Sequence, residues 1–422
     1  MKITKLSLTD FRGFRAFTLE LADARIALFI GQNGAGKSSV LDAAAIALTR
    51  VTAELKAYGA GRRPIQPTDI NNQSNTAQID IAVEHGSKSY AWSIVRQGRG
   101  AKKDGGKHMI SKLEEVKQLA SDLLDGLDNE CIPLLAYYPV NRAVLDIPLK
   151  IRVLHDFSPL GAFEKALTSA ADFRMFFEWF RNREDFENEK KVEDATFCDP
   201  VLNAVRSAIY AFMEGFKNLR VQRRPLRMTI DKGEQEVFIN QLSDGEKCLL
   251  ALIGDLARRL AIANPGLNSP LEGHGVVLID EIELHLHPAW QRTVIPCLNK
   301  TFPNCQFLIS THSPQILGGA KNAKVFVVSE KKLNDSESEQ PLIALRNLYG
   351  IDSNRILGEV MGAGTRAQEV SDLFAALFAQ IEYQNWNEVT QIVAQLESMI
   401  EREDPELLKA NLLIQRRRYA AS

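Results

Sequence analysis

Gly31-Gln32-Asn33-Gly34-Ala35-Gly36-Lys37-Ser38 is the stretch on which the reading of this chain turns. It fits the pattern GxxxxGK[ST], and its flanks are those the pattern requires: a continuous apolar run at 26–30 before it and a helical pattern over 38–49 after it. A strand buried on both faces, a glycine turn and a helix, in that order, predict an α/β fold. The glycines let backbone N–H groups turn inward around phosphate oxygens, and the helix N-terminus adds partial positive charge. Lys37 is placed to reach the outer phosphates, and the Ser38 hydroxyl to meet Mg2+. Asn33, Gly34, Gly36 and Ser39 join them as candidate nucleotide-binding residues. ATP with Mg2+ is the ligand pair this motif implies.

Downstream, four apolar residues end in two adjacent carboxylates, Val276-Val277-Leu278-Ile279-Asp280-Glu281. In a P-loop chain this is the Walker B pattern: Asp280 closes a buried strand beside the metal, and Glu281 polarises the attacking water. Leu242-Ser243-Asp244-Gly245-Glu246-Lys247 opens a helical run, and Ser243 with Glu246 three residues later reads as a capping box in its own right. Phe307-Leu308-Ile309-Ser310-Thr311-His312 is an apolar strand that delivers a histidine. A lone histidine is more often structural, but the order of the four motifs favours a site.

Working outward, strands are expected at 3–8, 17–21, 77–84 and 89–96, followed by an exposed Gly/Lys-rich loop at 97–106. From 142 to about 217 the pattern is helical, with an aromatic run at 173–180 that predicts a packed face. Helix 245–263, strand 276–280, helix 290–300 and strands 306–310 and 323–329 restore α/β character, before a polar stretch at 330–340. The expected domains are 1–141, the first part of an ATPase head; 142–237, a mostly helical insertion; 238–330, the rest of the head; and 341–422, a helical segment for partner docking or oligomerisation. In that last segment Val370, Leu373, Phe374, Leu377, Phe378 and Ile381 recur at three- and four-residue intervals, as do Val389, Ile392, Val393, Leu396 and Ile400. The spacing predicts two amphipathic helices joined near Asn385.

With 45% hydrophobic and 25% charged residues over 422 positions, the chain is neither a disordered tail nor a fibre. No apolar run approaches the roughly 20 residues of a membrane span, and the first residues alternate like a strand, so a cytoplasmic protein without a membrane partner is expected. Five cysteines, odd in number and without a CxxC pair, point to neither a disulfide framework nor a zinc site. A net charge of −2 excludes a uniformly basic surface. Arg223-Arg224 and Arg416-Arg417-Arg418 remain as local patches for nucleic acid or as solvated faces.

Over roughly residues 1–330 the four motifs, in this order, resemble the ABC-type ATPase heads of the group containing RecF, the SMC proteins and the overcoming-lysogenization-defect (OLD) ATPases. That resemblance implies an ABC-type P-loop head with a helical insertion, whose ATP is sandwiched between two heads. Residues 242–247 then resemble the LSGGQ signature, with Asp244, Glu246 and Lys247 as departures. Ser243, Gly245 and Glu246 would contact the nucleotide of the other head, and Glu281 and His312 would be catalytic. The opening 6–14 matches the group's first strand and carries Arg12 toward the nucleotide; Gln66 is the candidate for a glutamine that contacts the metal.

Within the group, Asp280-Glu281-Ile282-Glu283-Leu284-His285-Leu286-His287-Pro288 resembles the DExExxLHP-like segment of OLD-type and prokaryotic defence ATPases rather than that of membrane transporters. On a strand, Glu283, His285 and His287 would share one face and suit a metal, though the family segment already accounts for them. Residues 131–142 end in a YYPxxR pattern, similar to a segment of defence ATPases or simply a buried strand closed by a proline turn. The interval from Lys37 to Leu242 is too short and aperiodic for a long coiled coil, and no nuclease-type glutamate-plus-DxD pattern follows His312. With no nuclease pattern of its own, the chain resembles the PtuA ATPases of Septu antiphage systems. That implies a homodimer or higher homo-oligomer, a PtuB-like HNH nuclease subunit as partner, and nucleic acid reached through the complex. The alternative is a RecF-like DNA-binding repair ATPase that uses the arginine-rich segments.

Overall fold

The computed structural model describes residues 1–21, 24–55, 61–98, 108–125, 131–140, 158–168, 173–328, 342–345, 348–362 and 366–420. Most of the loop expected at 97–106, the polar stretch at 330–340, and Asn141 and Arg142 lie outside them. The chain divides into two compact units, Met1–Ile351 and Asp352–Ser422.

In the first unit the continuous apolar runs become a central sheet. β3 (Ile26–Ile30), β7 (Leu134–Tyr138), β11 (Gly275–Ile279) and β12 (Cys305–Ser310) are buried at every position. Parallel strands covered on both faces require such sequences. With β13 (Lys324–Val328) and β14 (Leu342–Leu345) the order is β14-β13-β3-β12-β11-β7, parallel except for the antiparallel β13–β14 pair at one edge. The head's sheet thus gains a strand beyond position 330, where the sequence reading placed its end.

A second, antiparallel sheet is ordered β2-β1-β4-β5-β6, from β1 (Lys2–Phe11), β2 (Phe14–Glu20), β4 (Thr76–His85), β5 (Lys88–Gln97) and β6 (His108–Ser111). Its strands alternate buried with open positions, as half-covered strands do. Helix α1 (Lys37–Glu54) packs against both β4 and β12, and is accordingly buried nearly all round. Gln306 joins the sheets: its side chain accepts from the Ile3 N–H at 2.7 Å and donates to the Ile3 and Ala24 carbonyls at 2.9 and 3.0 Å. α2 (Leu113–Asp125) covers part of β5 and α1.

The stretch expected to be mostly helical holds α3 (Phe173–Glu193) and α4 (Pro200–Phe212), and then departs from expectation. β8 (Phe216–Arg223), β9 (Leu226–Lys232) and β10 (Gln235–Phe238) form a three-stranded antiparallel sheet. A register shift between Lys217 and Arg220 breaks the two-residue period that would have marked β8. Among the described residues of this unit, α5 (Asp244–Ala263), α6 (Pro288–Thr301) and α7 (Pro314–Gly319) follow.

The second unit opens with the single turn α8 (Ser353–Arg355) and holds α9 (Gln368–Glu382), α10 (Trp386–Met399) and α11 (Pro405–Ala420). α9 and α10 flank Asn385, and their apolar stripes meet in a cluster of Val370, Phe374, Leu377, Ile381, Val389 and Leu396. Leu407 and Ala410 of α11 complete it, so three helices share a core where the periodicity predicts two. Arg366 ties the entry to α9 to the start of α11 through Asp404 at 2.8 Å and Glu406 at 3.2 Å. No helix among the described residues is long and apolar enough to cross a membrane.

Candidate nucleotide site

β3, β12 and β11 are neighbours in the sheet and run parallel, so the segments leaving their carboxyl ends emerge side by side. Those segments are the glycine turn, the His312 turn and the Asp280-Glu281 pair. Crevices outside strand carboxyl ends are where open α/β sheets bind ligands.

The turn after β3 leads into α1 at Gly36, whose φ of 102° lies in the left-handed region. A Cβ there would stand 2.5 Å from Cζ of Phe14, which backs the loop, so only glycine fits. Asn33 and Gly34 are exposed at the crown of the turn. Lys37, 5% exposed, folds back and donates from Nζ to the carbonyls of Gly31 and Gln32 at 3.0 and 2.9 Å. Burial lowers its pKa from the ordinary lysine value, against the opposing pull of Glu281, Asp280 and Glu283.

Ser38 Oγ donates to Asp280 Oδ1 at 3.1 Å, bringing together two residues 242 positions apart in sequence. Ser310 Oγ donates to the same oxygen and accepts from the Glu281 N–H at 2.7 Å. These are hard oxygen donors at the mouth of a phosphate-type loop, a set that suits Mg2+. Glu281 has φ 46°, a sharp bend away from β11. The chain then makes successive turns rather than a strand, with a second positive φ of 65° at His285. Glu283, His285 and His287 therefore do not share a strand face. Glu283 instead accepts from the His312 N–H, and His287 Nδ1 caps α6 at Ala289 N, 3.3 Å away. No group of three or more metal-binding His, Cys, Asp or Glu forms among the described residues. Burial, followed by the charge of Lys37, lowers the His312 pKa below the ordinary imidazole value.

Arg12, at φ 51°, turns toward α1. Its guanidinium pairs with Asp42 at 2.6 Å and Asp69 at 2.8 Å, and its Nη1 lies 3.4 Å from Ser39 Oγ. Burial pulls its pKa down, but the charge of Asp42 and the bonds to Asp69 and Asp42 outweigh that and raise it. Arg63 shares Asp42. Gln66 is not brought to Ser38 or Asp280: its exposed side chain donates to the Pro64 carbonyl at 3.3 Å. The strand beside Asp280 is β7, whose Tyr138 carbonyl accepts the Asp280 N–H at 2.9 Å, so Pro139 and Val140 enter next to the site.

Ser243 and Glu246 form the capping box at the start of α5. The Ser243 N–H donates to Glu246 Oε2 at 2.8 Å, and Ser243 Oγ to the same oxygen at 2.9 Å. Lys232, at the end of β9, neutralises Glu246 across 2.7 Å. Asp244 projects with its side chain 84% exposed. Gly245 lies against the backbone of His285, where a Cβ would stand 2.3 Å from the carbonyl oxygen. Neither Ser243 nor Glu246 bonds to the glycine turn of its own chain among the described residues. Ser310, Asp42, Asp69 and Lys232 were not singled out in the sequence; each is polar and buried or paired only because a distant segment meets it.

Two family profiles match the chain: one described as AAA domain, over residues 5–217, and one described as AAA domain, putative AbiEii toxin, Type IV TA system, over residues 143–318. The retron Ec83 probable ATPase of Escherichia coli is 30% identical over 376 residues, spanning 75% of this chain and 69% of that protein. The retron Vc95 probable ATPase of Vibrio cholerae is 30% identical over 384 residues, 78% of this chain and 74% of that protein. The Septu protein PtuA of Bacillus mycoides is 25% identical over 364 residues, 84% of this chain and 45% of that protein. Among solved structures, an SMC head bound to the C-terminal winged-helix domain of ScpA superposes with a TM-score of 0.50 at 14% identity, covering 82% of this chain and 98% of that one. That likeness shows the fold, an α/β head of the SMC type. The chain belongs to the AAA-domain family of ABC- and SMC-like P-loop ATPases that includes the retron probable ATPases.

Proposed function

We propose that this chain is the regulatory ATPase of an antiphage defence complex. Two heads close over ATP, and their closure and its release by hydrolysis control an associated nuclease subunit of the HNH class. The observation that carries the reading is the meeting of Lys37 and Ser38 with Asp280, Glu281 and His312 at the carboxyl ends of three adjacent strands. Its similarity to retron probable ATPases and to a Septu PtuA supports the defence setting.

Ser38 and Asp280 would hold Mg2+, whose charge offsets that of the phosphate oxygens. Lys37 exchanges the carbonyls of Gly31 and Gln32 for the outer phosphates. Arg12, Asn33, Gly34, Gly36 and Ser39 line the inner ones. Glu281 orients the attacking water and accepts its proton. His312, neutral at physiological pH, donates one N–H to the γ-phosphate. Ser243, Gly245 and Glu246 serve the nucleotide of the second head, and the Asp352–Ser422 unit is the docking or oligomerisation segment. A metal role for Gln66 is not carried forward, because its amide is turned to Pro64. Of the arginines the DNA-clamp alternative needs, Arg223 is paired with Glu184 and Asp185 and Arg417 with the Ile381 carbonyl, while Arg224 and Arg416 are exposed.

The test combines ATP binding, turnover and particle mass on three forms of the chain. Lys37→Ala should bind no ATP. Glu281→Gln should bind it, hydrolyse it at least about a hundred-fold more slowly and accumulate as a closed dimer. Hydrolysis by Glu281→Gln at the wild-type rate would refute the assignment. An HNH nuclease recovered with the tagged chain from its native cell would support the complex; a stoichiometric complex without any nuclease would refute that part.

A further inference from the structure

β7 ends in two adjacent tyrosines that the chemistry above does not use, Tyr137 and Tyr138, each 2% exposed. As neighbours on a strand they leave opposite faces of the sheet. Tyr137 Oη donates to Asp42 Oδ1 at 2.8 Å, on α1 and one turn beyond Ser38. Tyr138 Oη donates to Asp255 Oδ2 at 3.0 Å, on α5, the helix that Ser243 caps.

The two ends of this arrangement have the same composition. Asp42 also holds Arg12 and Arg63, and the Arg63 guanidinium lies 5.0 Å from the centre of the Tyr137 ring. Asp255 also holds Arg258 at 2.6 Å and Arg259 at 2.7 Å, and Arg259 reaches on to the carbonyls of Ala162 and Glu164 at 2.6 and 2.9 Å. Between the two, the Tyr138 carbonyl accepts the Asp280 N–H. The P-loop helix, the metal-side aspartate and the signature helix are thus all fastened to the last two residues of one strand. Burial and the neighbouring carboxylates raise the pKa of both phenols, so both remain protonated donors. In a low-dielectric interior a donor aimed at a charged acceptor is worth more than at the surface, and it fixes direction as well as distance.

We propose that Tyr137 and Tyr138 are positioning residues that hang both halves of the nucleotide machinery on β7: Tyr137 sets Arg12 beside Ser39 through Asp42, and Tyr138 sets α5 through Asp255. The inference rests on the proposed roles of α1 at the chain's own nucleotide and of α5 at that of a second head.

The experiment uses the full chain with Tyr137→Phe, Tyr138→Phe, Arg12→Ala and the Tyr137→Phe/Arg12→Ala double variant. Each phenylalanine removes one oxygen and keeps the ring, and folding is checked by circular dichroism and thermal unfolding. Affinity is read with a fluorescent ATP analogue, turnover by phosphate release, and dimer fraction by particle mass with ATP. Tyr137→Phe should raise the Kd roughly ten-fold, the typical effect of losing a hydrogen bond to a charged group, and should add nothing once Arg12 is alanine. Tyr138→Phe should leave the Kd alone while lowering turnover and dimer fraction roughly ten-fold. Parallel losses of stability and turnover in both variants with unchanged Kd, or additivity with Arg12→Ala, would overturn the proposal while leaving the nucleotide site intact. A wild-type chain that bound no ATP would overturn both.

Discussion

Gly245→Ala separates two reasons for a glycine at the start of α5. If the residue only faces a nucleotide on another head, alanine should leave the free chain no less stable, and its helix propensity should add up to about 1 kcal/mol. The structure predicts the opposite sign. A Cβ at 245 would stand 2.3 Å from the His285 carbonyl oxygen, against the 3.4 Å or more of ordinary contact. The two backbones must therefore part by about 1 Å, and neither is the end of a flexible side chain. Overpacking of this kind costs about 1–3 kcal/mol, which outweighs the propensity gain and leaves a net loss of about 1 kcal/mol. In a chain of this size that lowers the apparent Tm by about 2 °C. The displaced segment, 281–287, begins with Glu281, so turnover should fall as well. Differential scanning fluorimetry without nucleotide and steady-state phosphate release give the two readouts. An alanine variant with unchanged or raised Tm and normal turnover would refute the packing account.

Two further outcomes concern the second unit. Leu377, fully buried in its cluster, should cost about 2–5 kcal/mol as alanine, enough to unfold a three-helix unit while the head keeps its ATP affinity. Limited proteolysis beside ATP binding checks it; loss of both together would show that the units do not fold independently. The bond and charge of Arg366 hold the Asp404 carboxyl below its ordinary value. A carboxyl depressed on folding stabilises above its unfolded pKa, about 3.9, and loses that contribution as pH falls through the lower folded value. Wild type should therefore exceed Asp404→Asn in thermal stability from pH 7 down to about 5, and the gap should close below about pH 4. A gap that did not narrow as the pH fell below about 4 would show that geometry rather than charge matters there.

What could be read in the sequence was what the chain writes consecutively. The turn 31–38 has its strand before it and its helix after it, Asp280 directly follows an uninterrupted apolar strand, and His312 stands two residues beyond a strand with the apolar centre 307–309. The α9 and α10 stripes follow from a 3.6-residue period alone. Strand order was out of reach, because nothing near β3 specifies β12 and β13 as its neighbours. Gln66 was chosen by residue type, whereas the position beside Asp280 is set by the pairing of β11 with β7. The alternation of Glu283, His285 and His287 has a strand's period but not its backbone: positive φ at Glu281 and His285 makes it a series of turns. α11 was missed as a core element because Leu407, Leu408, Leu412 and Leu413 are spread around it and leave no single stripe.

The position of β3 bears on how the protein is made. Its two partners, β12 and β13, begin at Cys305 and Lys324, so the strand before the glycine turn has no neighbour in its sheet until most of the chain exists. At typical rates of synthesis, about 5–20 residues per second, that leaves it waiting for roughly 15–60 s on the ribosome. Throughout that interval Ile26, Leu28, Phe29 and Ile30 lack the cover they have in the finished head, where each is at most 1% exposed. Such a strand is a natural client for chaperones and a hazard in any fragment that stops short of β12. On the proposed reading, in which Asp280 and His312 serve the nucleotide alongside Lys37, binding is among the last properties the nascent chain acquires.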